Sequence, residues 1–290
     1  MWRRGCAAAS SRLLACSLSS LFLLLVLLAG PARALPITPT FNWRASAPGA
    51  NPAQWNATIG THQWTLSGTT LTTPTTAMPG ITGAVAHGAG DAMTGLDFQS
   101  IAAGDPSNEN VSLELWFRPD DMSGGQQVLF ETGGNGDGLS ILLDDSFIRF
   151  RVKSGGTNQT LSYDLGVDAS EFFQVAITLS LGGTASLYVD GILRASGSAV
   201  GINDWSNTND AGLGSPNSQI GGNVGGNLNG YGDFLGELAI LRFYRGQVLT
   251  PAEVLQNYEA VAIPEPGTVV LVALGLIGLG VAPARFRKRL

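Results

Sequence analysis

ITLSLGGTASLYVDG, residues 177–191, sets two short β-prone runs on either side of a glycine pair. Gly182-Gly183 can take the positive φ that a two-residue hairpin requires, and Asp190-Gly191 then turns the chain again. The same rhythm runs outward in both directions. In NVSLELWFRP (110–119), Val111, Leu113, Leu115 and Phe117 alternate with Ser112, Glu114, Trp116 and Arg118. In FIRFRVK (147–153), Ile148, Phe150 and Val152 alternate with Arg149, Arg151 and Lys153, which is a strand with one wet face. Further strands are expected at 126–132, 139–145, 159–165, 171–180, 184–190 and 236–245. LFETGGNGDGLSILL reads as strand, glycine turn, strand. With 39 glycines and only 13% charged residues, the pattern predicts an all-β sandwich or barrel. One short helix follows the last strand. Thr250-Pro251-Ala252-Glu253 is a capping box with proline at the first helical position, and Val254, Leu255 and Tyr258 form one apolar stripe that faces the sandwich.

Both ends of the chain differ from this middle. Arg3, Arg4 and Arg12 precede an apolar core from Leu21 to Ala29, and Ala32-Arg33-Ala34 fits the small-x-small cleavage rule. Residues 1–34 therefore read as a secretory signal removed by signal peptidase, with Leu35 as the new N-terminus. An uncleaved anchor is disfavoured by the short apolar core. A lipoprotein reading of Leu13-Leu14-Ala15-Cys16 is disfavoured because Cys16 precedes that core instead of following it. At the other end, Thr268 to Ala284 is 17 residues without a charge. At about 1.5 Å per residue this gives a helix that spans by thinning the bilayer. Arg285, Arg287, Lys288 and Arg289 follow and stay cytoplasmic by the positive-inside rule. The physical reading is an exported domain held at the membrane by its C-terminus.

Composition excludes several function classes. Both cysteines, Cys6 and Cys16, lie in the signal, so the mature protein has no disulfide and no thiol chemistry. With only His62 and His87 besides, a Cys/His zinc site cannot be assembled. Between Leu35 and Ile263 there are eight basic and 21 acidic residues, a net charge of −13. Such a surface is a poor match for nucleic acid or anionic lipid and suits an extracellular domain that attracts divalent cations.

Two resemblances add to this reading. Pro264-Glu265-Pro266, an apolar helix and a basic cluster, in that order at the C-terminus, resemble the PEP-CTERM sorting signal. The resemblance implies recognition and cleavage by an exosortase near Pro-Glu-Pro, a transient membrane helix, and delivery to the cell surface or the extracellular matrix. VSLELWFRPD, VLFETG, FFQVAITLSLGGTASLYVDG and FLGELAILRFYRGQVLTPAEVLQNY, from about Val111 to Tyr258, resemble the LamG-like, concanavalin A-like family. That implies a two-sheet antiparallel jelly roll over residues 35–262, with Trp43, Trp55 and Trp64 on its first strands. The chain departs from the family at Gln174, where a histidine is usual, and at Ala239 and Ile240, where an acidic pair is usual. The second departure puts in doubt a calcium site built on that pair.

No catalytic arrangement is visible. Jelly-roll glycosidases hold two carboxylates about 5.5 Å apart from one strand. Here Glu114 stands alone, and Glu237 has no acidic residue within the next four positions. His62 reads as a strand-edge residue and His87 as a loop histidine, and no Gly-x-Ser-x-Gly elbow occurs. The glycine-rich runs 133–138 and 221–233 lack the Lys-Ser/Thr of a phosphate loop. The chain is expected not to be an enzyme. Two oxygen-rich clusters, Asp137 with Asp144 and Asp145, and Asp204 with Asn207, Asn209 and Asp210, are the candidate ligands for Ca²⁺. Trp205 in a polar loop, and Trp116 and Tyr188 out of phase with their strands, are the candidate rings for stacking on sugar; since a jelly roll buries both faces of some strands, core packing is the favoured reading of Trp116 and Tyr188, and Trp205 is the better ligand candidate. The expected function is a surface or matrix binding module whose ligand is a polysaccharide or another surface protein.

Overall fold

The computed structural model describes residues 37–45, 54–96, 110–133, 138–154, 157–166, 170–198, 211–214 and 231–263. The leader, the tail from Pro264, and Asp137, Asp204, Trp205, Asn207, Asn209 and Asp210 lie outside these residues. Among the described residues no helix is long and apolar enough to cross a membrane.

Among the described residues, seventeen strands and one helix form the unit Pro36–Ala262. In chain order they are β1 (Phe41–Arg44), β2 (Gln54–Ile59), β3 (Gln63–Ser67), β4 (Thr70–Thr72), β5 (Ala84–His87) and β6 (Ala92–Leu96). Then come β7 (Val111–Pro119), β8 (Gln126–Gly133), β9 (Gly138–Asp144), β10 (Phe147–Ser154), β11 (Thr157–Asp164) and β12 (Phe173–Leu179). The last are β13 (Thr184–Val189), β14 (Ile192–Ser198), β15 (Ala211–Leu213), β16 (Gly232–Asp233), β17 (Gly236–Arg245) and α1 (Pro251–Ala262). The first sheet runs β14-β13-β12-β7-β17, and the far edge of β17 takes β5, with β4 beyond it, and β1. The second sheet runs β11-β10-β9-β8, continues through β15 to β6 and β3, and is joined by the short parallel strand β16. β2 pairs β1 in one sheet and β3 in the other, stitching the two together. Of the sandwich or barrel that the alternation predicts, the chain forms the sandwich that the family resemblance implies.

The core follows from that alternation. Val111, Leu113, Leu115 and Phe117 from β7 meet Ile148, Phe150 and Val152 from β10 between the sheets. Trp43, Trp55 and Trp64 are buried in the same cluster, so the N-terminal segment supplies true strands of the sandwich. Each such side chain contributes roughly 1.5–3 kcal/mol by leaving water.

The outer face of the first sheet is buried as well. Trp116 packs with Phe172, Ala239, Ile240, Ile81 and Val261, and Tyr188 packs with Ala176, Tyr244, Leu249 and Val254. Trp116 is 0% exposed and Tyr188 3% exposed, so neither ring offers a face to a sugar. Their out-of-phase placement reflects a sheet covered on both sides, by α1 and by the segment 73–81. Ala239 and Ile240 sit in this apolar layer.

Two local expectations are corrected. The β12–β13 connection has four residues, Ser180 to Gly183: Gly183 N donates to Ser180 O at 3.0 Å and only Gly183 of the pair has positive φ (85°). A four-residue turn closed by a left-handed glycine therefore stands where a two-residue loop is expected. On α1, the buried positions are Val254, Asn257 and Val261, while Leu255 is exposed. The capping box forms as read: Glu253 N donates to Thr250 Oγ1 at 3.3 Å, and Thr250 N donates to Glu253 Oε2 at 2.7 Å.

Asn257 is buried because it has partners. Glu114, fully enclosed on the outer face of β7, accepts from Gln174 Nε2 (3.2 Å) and Asn257 Nδ2 (3.1 Å) through Oε1. Its Oε2 accepts from Tyr244 Oη (2.7 Å) and Arg242 Nη1 (3.4 Å). The Arg242 guanidinium also lies 4.7 Å from the Trp116 ring centroid. The acid that stands alone on its strand is the hub that pins β12, β17 and α1 together.

Candidate functional site

The site grows from the end of the first sheet, where β17 begins. Glu237 lies directly opposite Arg118 of β7 and Ala86 of β5, and Ala86 lies opposite Thr70 of β4. This row forms the floor of an open cleft of about 490 Å³, lined also by Thr72, Thr75, Gly88, Asp91 and Asp120. A cleft of that size falls in the range of small-ligand sites.

The floor is locked by charge-assisted bonds. Arg118 Nε donates to Glu237 Oε2 at 2.9 Å, and Arg118 Nη2 donates to Asp120 Oδ1 at 2.6 Å. Glu237 Oε1 accepts from Thr75 N at 3.0 Å and from Thr75 Oγ1 at 2.7 Å. These bonds fix the loop after β4 against the sheet. The Asp120 side chain is 59% exposed and presents a carboxylate at the rim. Asp91 Oδ2 accepts from Gly88 N at 2.7 Å and holds the β5–β6 turn.

His87 closes β5 and is buried, not a loop residue. Its Nδ1 is 2.8 Å from Phe234 O, and the ring packs so closely on Gly214 that a Cβ there would lie 2.7 Å from it. Burial pushes its pKa below the usual value, against the Phe234 hydrogen bond and the charges of Asp91 and Asp233. A ring so engaged is held as a neutral donor to a carbonyl. Glu237 is likewise saturated by Arg118 and Thr75. The cleft is therefore a fixed array of hydroxyls, one exposed carboxylate and a clamped guanidinium. Its polar groups are placed for hydrogen bonding.

The candidate residues named from the sequence fare unevenly. Of the first oxygen cluster, Asp144 is ion-paired with Arg149 (Nη2–Oδ2 2.6 Å), and Asp145 is exposed at the following turn with φ 49°. Among the described residues no group of three or more His, Asp or Glu side chains is placed to hold a metal ion. Sequence reasoning missed the cleft because its four wall strands come from positions 70, 86, 118 and 237, and no local spacing links them.

Comparison with known proteins gives this geometry its context. A family model for the concanavalin A-like lectin/glucanases superfamily matches residues 94–255, and one for the PEP-CTERM protein-sorting motif matches residues 262–288. No curated protein matches in sequence. Among solved structures, the botulinum neurotoxin serotype D binding domain superposes with TM-score 0.54 at 14% identity, covering 77% of this chain. The chain spans 52% of that domain's length. The serotype D ligand-binding domain in complex with N-acetylneuraminic acid gives TM-score 0.51 at 14% identity, covering 77% of this chain and 50% of the other. Domain 4 of AbnA, an extracellular arabinanase from Geobacillus stearothermophilus, in complex with arabinotriose, gives TM-score 0.53 at 16% identity, covering 76% of this chain and 98% of that domain. At such identities the likeness shows the fold. The chain belongs to the concanavalin A-like lectin/glucanase superfamily and carries a C-terminal PEP-CTERM sorting motif that marks it for export.

Proposed function

We propose that the protein is a non-catalytic glycan-binding module of the cell surface or extracellular matrix, processed by an exosortase after export. The observation that carries this reading is the open cleft at the β4–β5–β17–β7 end, with threonine hydroxyls and an exposed Asp120 around a floor clamped by Arg118 and Glu237. Hydroxyl-rich ligands are recognised by such preformed polar groups. The superfamily's lectins and the arabinotriose complex of the arabinanase domain support the ligand class. The sorting motif supports the location.

One observation favours a second reading, a protein-binding matrix component. β14 is the edge strand of the first sheet and leaves Ile192 and Leu193 about half exposed. Such an edge is a template for strand addition by another chain.

The unit Pro36–Ala262 contains all the clusters of buried apolar side chains described above, so it carries its own core. Retention of this unit on immobilised neutral polysaccharides, arabinan and dextran, tests the first reading, in calcium and in chelator. We expect retention by at least one polymer, weakened roughly 30-fold by Thr72→Ala with Asp120→Ala, since each lost hydrogen bond costs about 1 kcal/mol. Retention lost in chelator would add a calcium ion to the ligand site. No retention in either condition, with capture of a surface protein instead, would favour the second reading.

A further inference from the structure

We infer that the cleft selects an amino sugar: a glycan with a free, protonated amine binds there in preference to a neutral, N-acetylated or acidic one. The inference rests on the glycan-binding reading above and names the ligand class of the same site.

The donors of the cleft are spent on the protein itself. Arg118 engages all three of its nitrogens: Nε donates to Glu237 Oε2, Nη1 to Pro119 O at 3.2 Å, and Nη2 to Asp120 Oδ1. Its side chain is only 10% exposed. The backbone N–H groups of Thr75 and Gly88 go to Glu237 and Asp91. Thr72 Oγ1 donates to Thr73 O at 3.1 Å, and Thr75 Oγ1 donates to Glu237 Oε1 at 2.7 Å. A hydroxyl has one proton and two lone pairs, so both threonines are left as acceptors. His87 donates from Nδ1 to Phe234 O, and its Nε2 is left buried without a partner among the described residues.

What the cleft turns outward is therefore acceptors. Asp120 gives Oδ1 to Arg118 and keeps Oδ2 free of any hydrogen bond among the described residues, on a side chain that is 59% exposed. Asp91 gives Oδ2 to Gly88 N and keeps Oδ1. Gly68, with φ 81°, makes room for that oxygen, since a Cβ there would collide with it. Asp91, Asp120 and Glu237 face the one guanidinium of Arg118, which leaves a surplus of two negative charges on the lining. Concave walls concentrate such a field.

An ammonium group answers this inventory. It brings three donors and a positive charge, and it accepts nothing. Its bonds to carboxylates are charge-assisted and stronger than those of a neutral hydroxyl. A uronate would set a carboxylate against carboxylates, and an N-acetyl group offers one N–H, no charge and one more acceptor. Thr70, exposed on β4 beside the same cleft, remains for the ring hydroxyls.

The test is an amide chemical-shift titration of Pro36–Ala262 with chitobiose bearing free amines, N,N′-diacetylchitobiose, cellobiose and digalacturonate. The peptide Gly-Lys-Gly serves as an amine without a sugar. Disaccharides keep the general attraction of a polycation for an acidic domain out of the comparison. At mildly acid pH we expect the free-amine disaccharide to bind roughly tenfold more tightly than cellobiose, and more tightly than the other two, with shifts at Thr72, Gly88 and Asp120. Salt should narrow the gap. The gap should close as pH rises through the pKa of the sugar amine, which faces Asp91, Asp120, Glu237, Arg118 and the neutral His87. Asp91→Asn with Asp120→Asn should weaken the free-amine disaccharide more than cellobiose, because asparagine keeps a carbonyl acceptor and loses the charge. Asp164→Asn, which removes an exposed charge from the second sheet, should leave the preference unchanged. The comparison of sugars on the parent protein decides the matter even if the double variant fails to fold. Equal binding of the free-amine disaccharide and cellobiose in the cleft overturns the inference and leaves the glycan-binding reading standing, as does a preference that the double variant retains. Gly-Lys-Gly bound as tightly as the amino disaccharide overturns the sugar class. No binding of any sugar contradicts both readings.

Discussion

Glu114 has no exposed surface, and burial, the largest influence, pushes its carboxyl above the usual range against the opposing pull of Arg242, Tyr244 and Asn257. A raised folded value has a definite sign. The folded state holds the proton more tightly than the unfolded chain, so the contribution is complete below the unfolded value of about 4.5 and is lost as pH rises through the folded value. We therefore predict a melting temperature that falls over that window and a Glu114→Gln variant in which the fall is flattened, with stability at neutral pH equal to the parent or better. Glu114→Ala, which leaves Arg242 and Asn257 buried without their acceptor, should cost several kcal/mol, about 3–5. Calorimetry across pH checks this, and a strongly destabilised Gln variant at neutral pH would contradict it. None of this was legible in the sequence. Alternation placed Glu114 on the polar side of β7, but its partners Gln174, Arg242, Tyr244 and Asn257 are 60 to 143 residues away. Burial of Trp116 and Tyr188 agrees with the core packing expected of a jelly roll, but the same distance hid which segments cover them.

Strands with strict alternation were readable almost to the residue: β17 falls at Gly236–Arg245 as expected, and α1 begins at Pro251. β14 was not, because ILRASGS has no period-two signal, and an exposed edge strand needs none. Helix α1 is the element that converts a wet sheet face into a second core. It docks where Gly80 N donates to Val261 O at 2.7 Å. A Cβ at Gly80 would lie 2.7 Å from the Val261 backbone, which cannot swing aside as a side chain can. Gly80→Ala should thus displace the helix end and destabilise by about 1–3 kcal/mol. Thr250→Ala, which removes only the cap, should cost about 1 kcal/mol and leave the docking intact. Chemical denaturation of the two variants separates the effects. A Gly80→Ala protein as stable as the parent would show that the contact is not a constraint.

Across the whole molecule, the chain divides its tasks. The sorting motif addresses the protein, and the sandwich presents surfaces. The fold class was legible because alternation and glycine turns are local. The cleft was not, because it exists only where β4, β5, β7 and β17 converge. The cleft is ringed by Asp91, Asp120 and Glu237 around the clamped Arg118. The most direct test of the central claim, that the cleft holds glycan, is a backbone amide chemical-shift titration of Pro36–Ala262 with arabinotriose and with oligomers of any neutral polysaccharide that retains it. The account predicts saturable shifts concentrated at Thr70, Thr72, Gly88 and Asp120. Shifts confined to another surface, or none with any of these oligosaccharides, would contradict it.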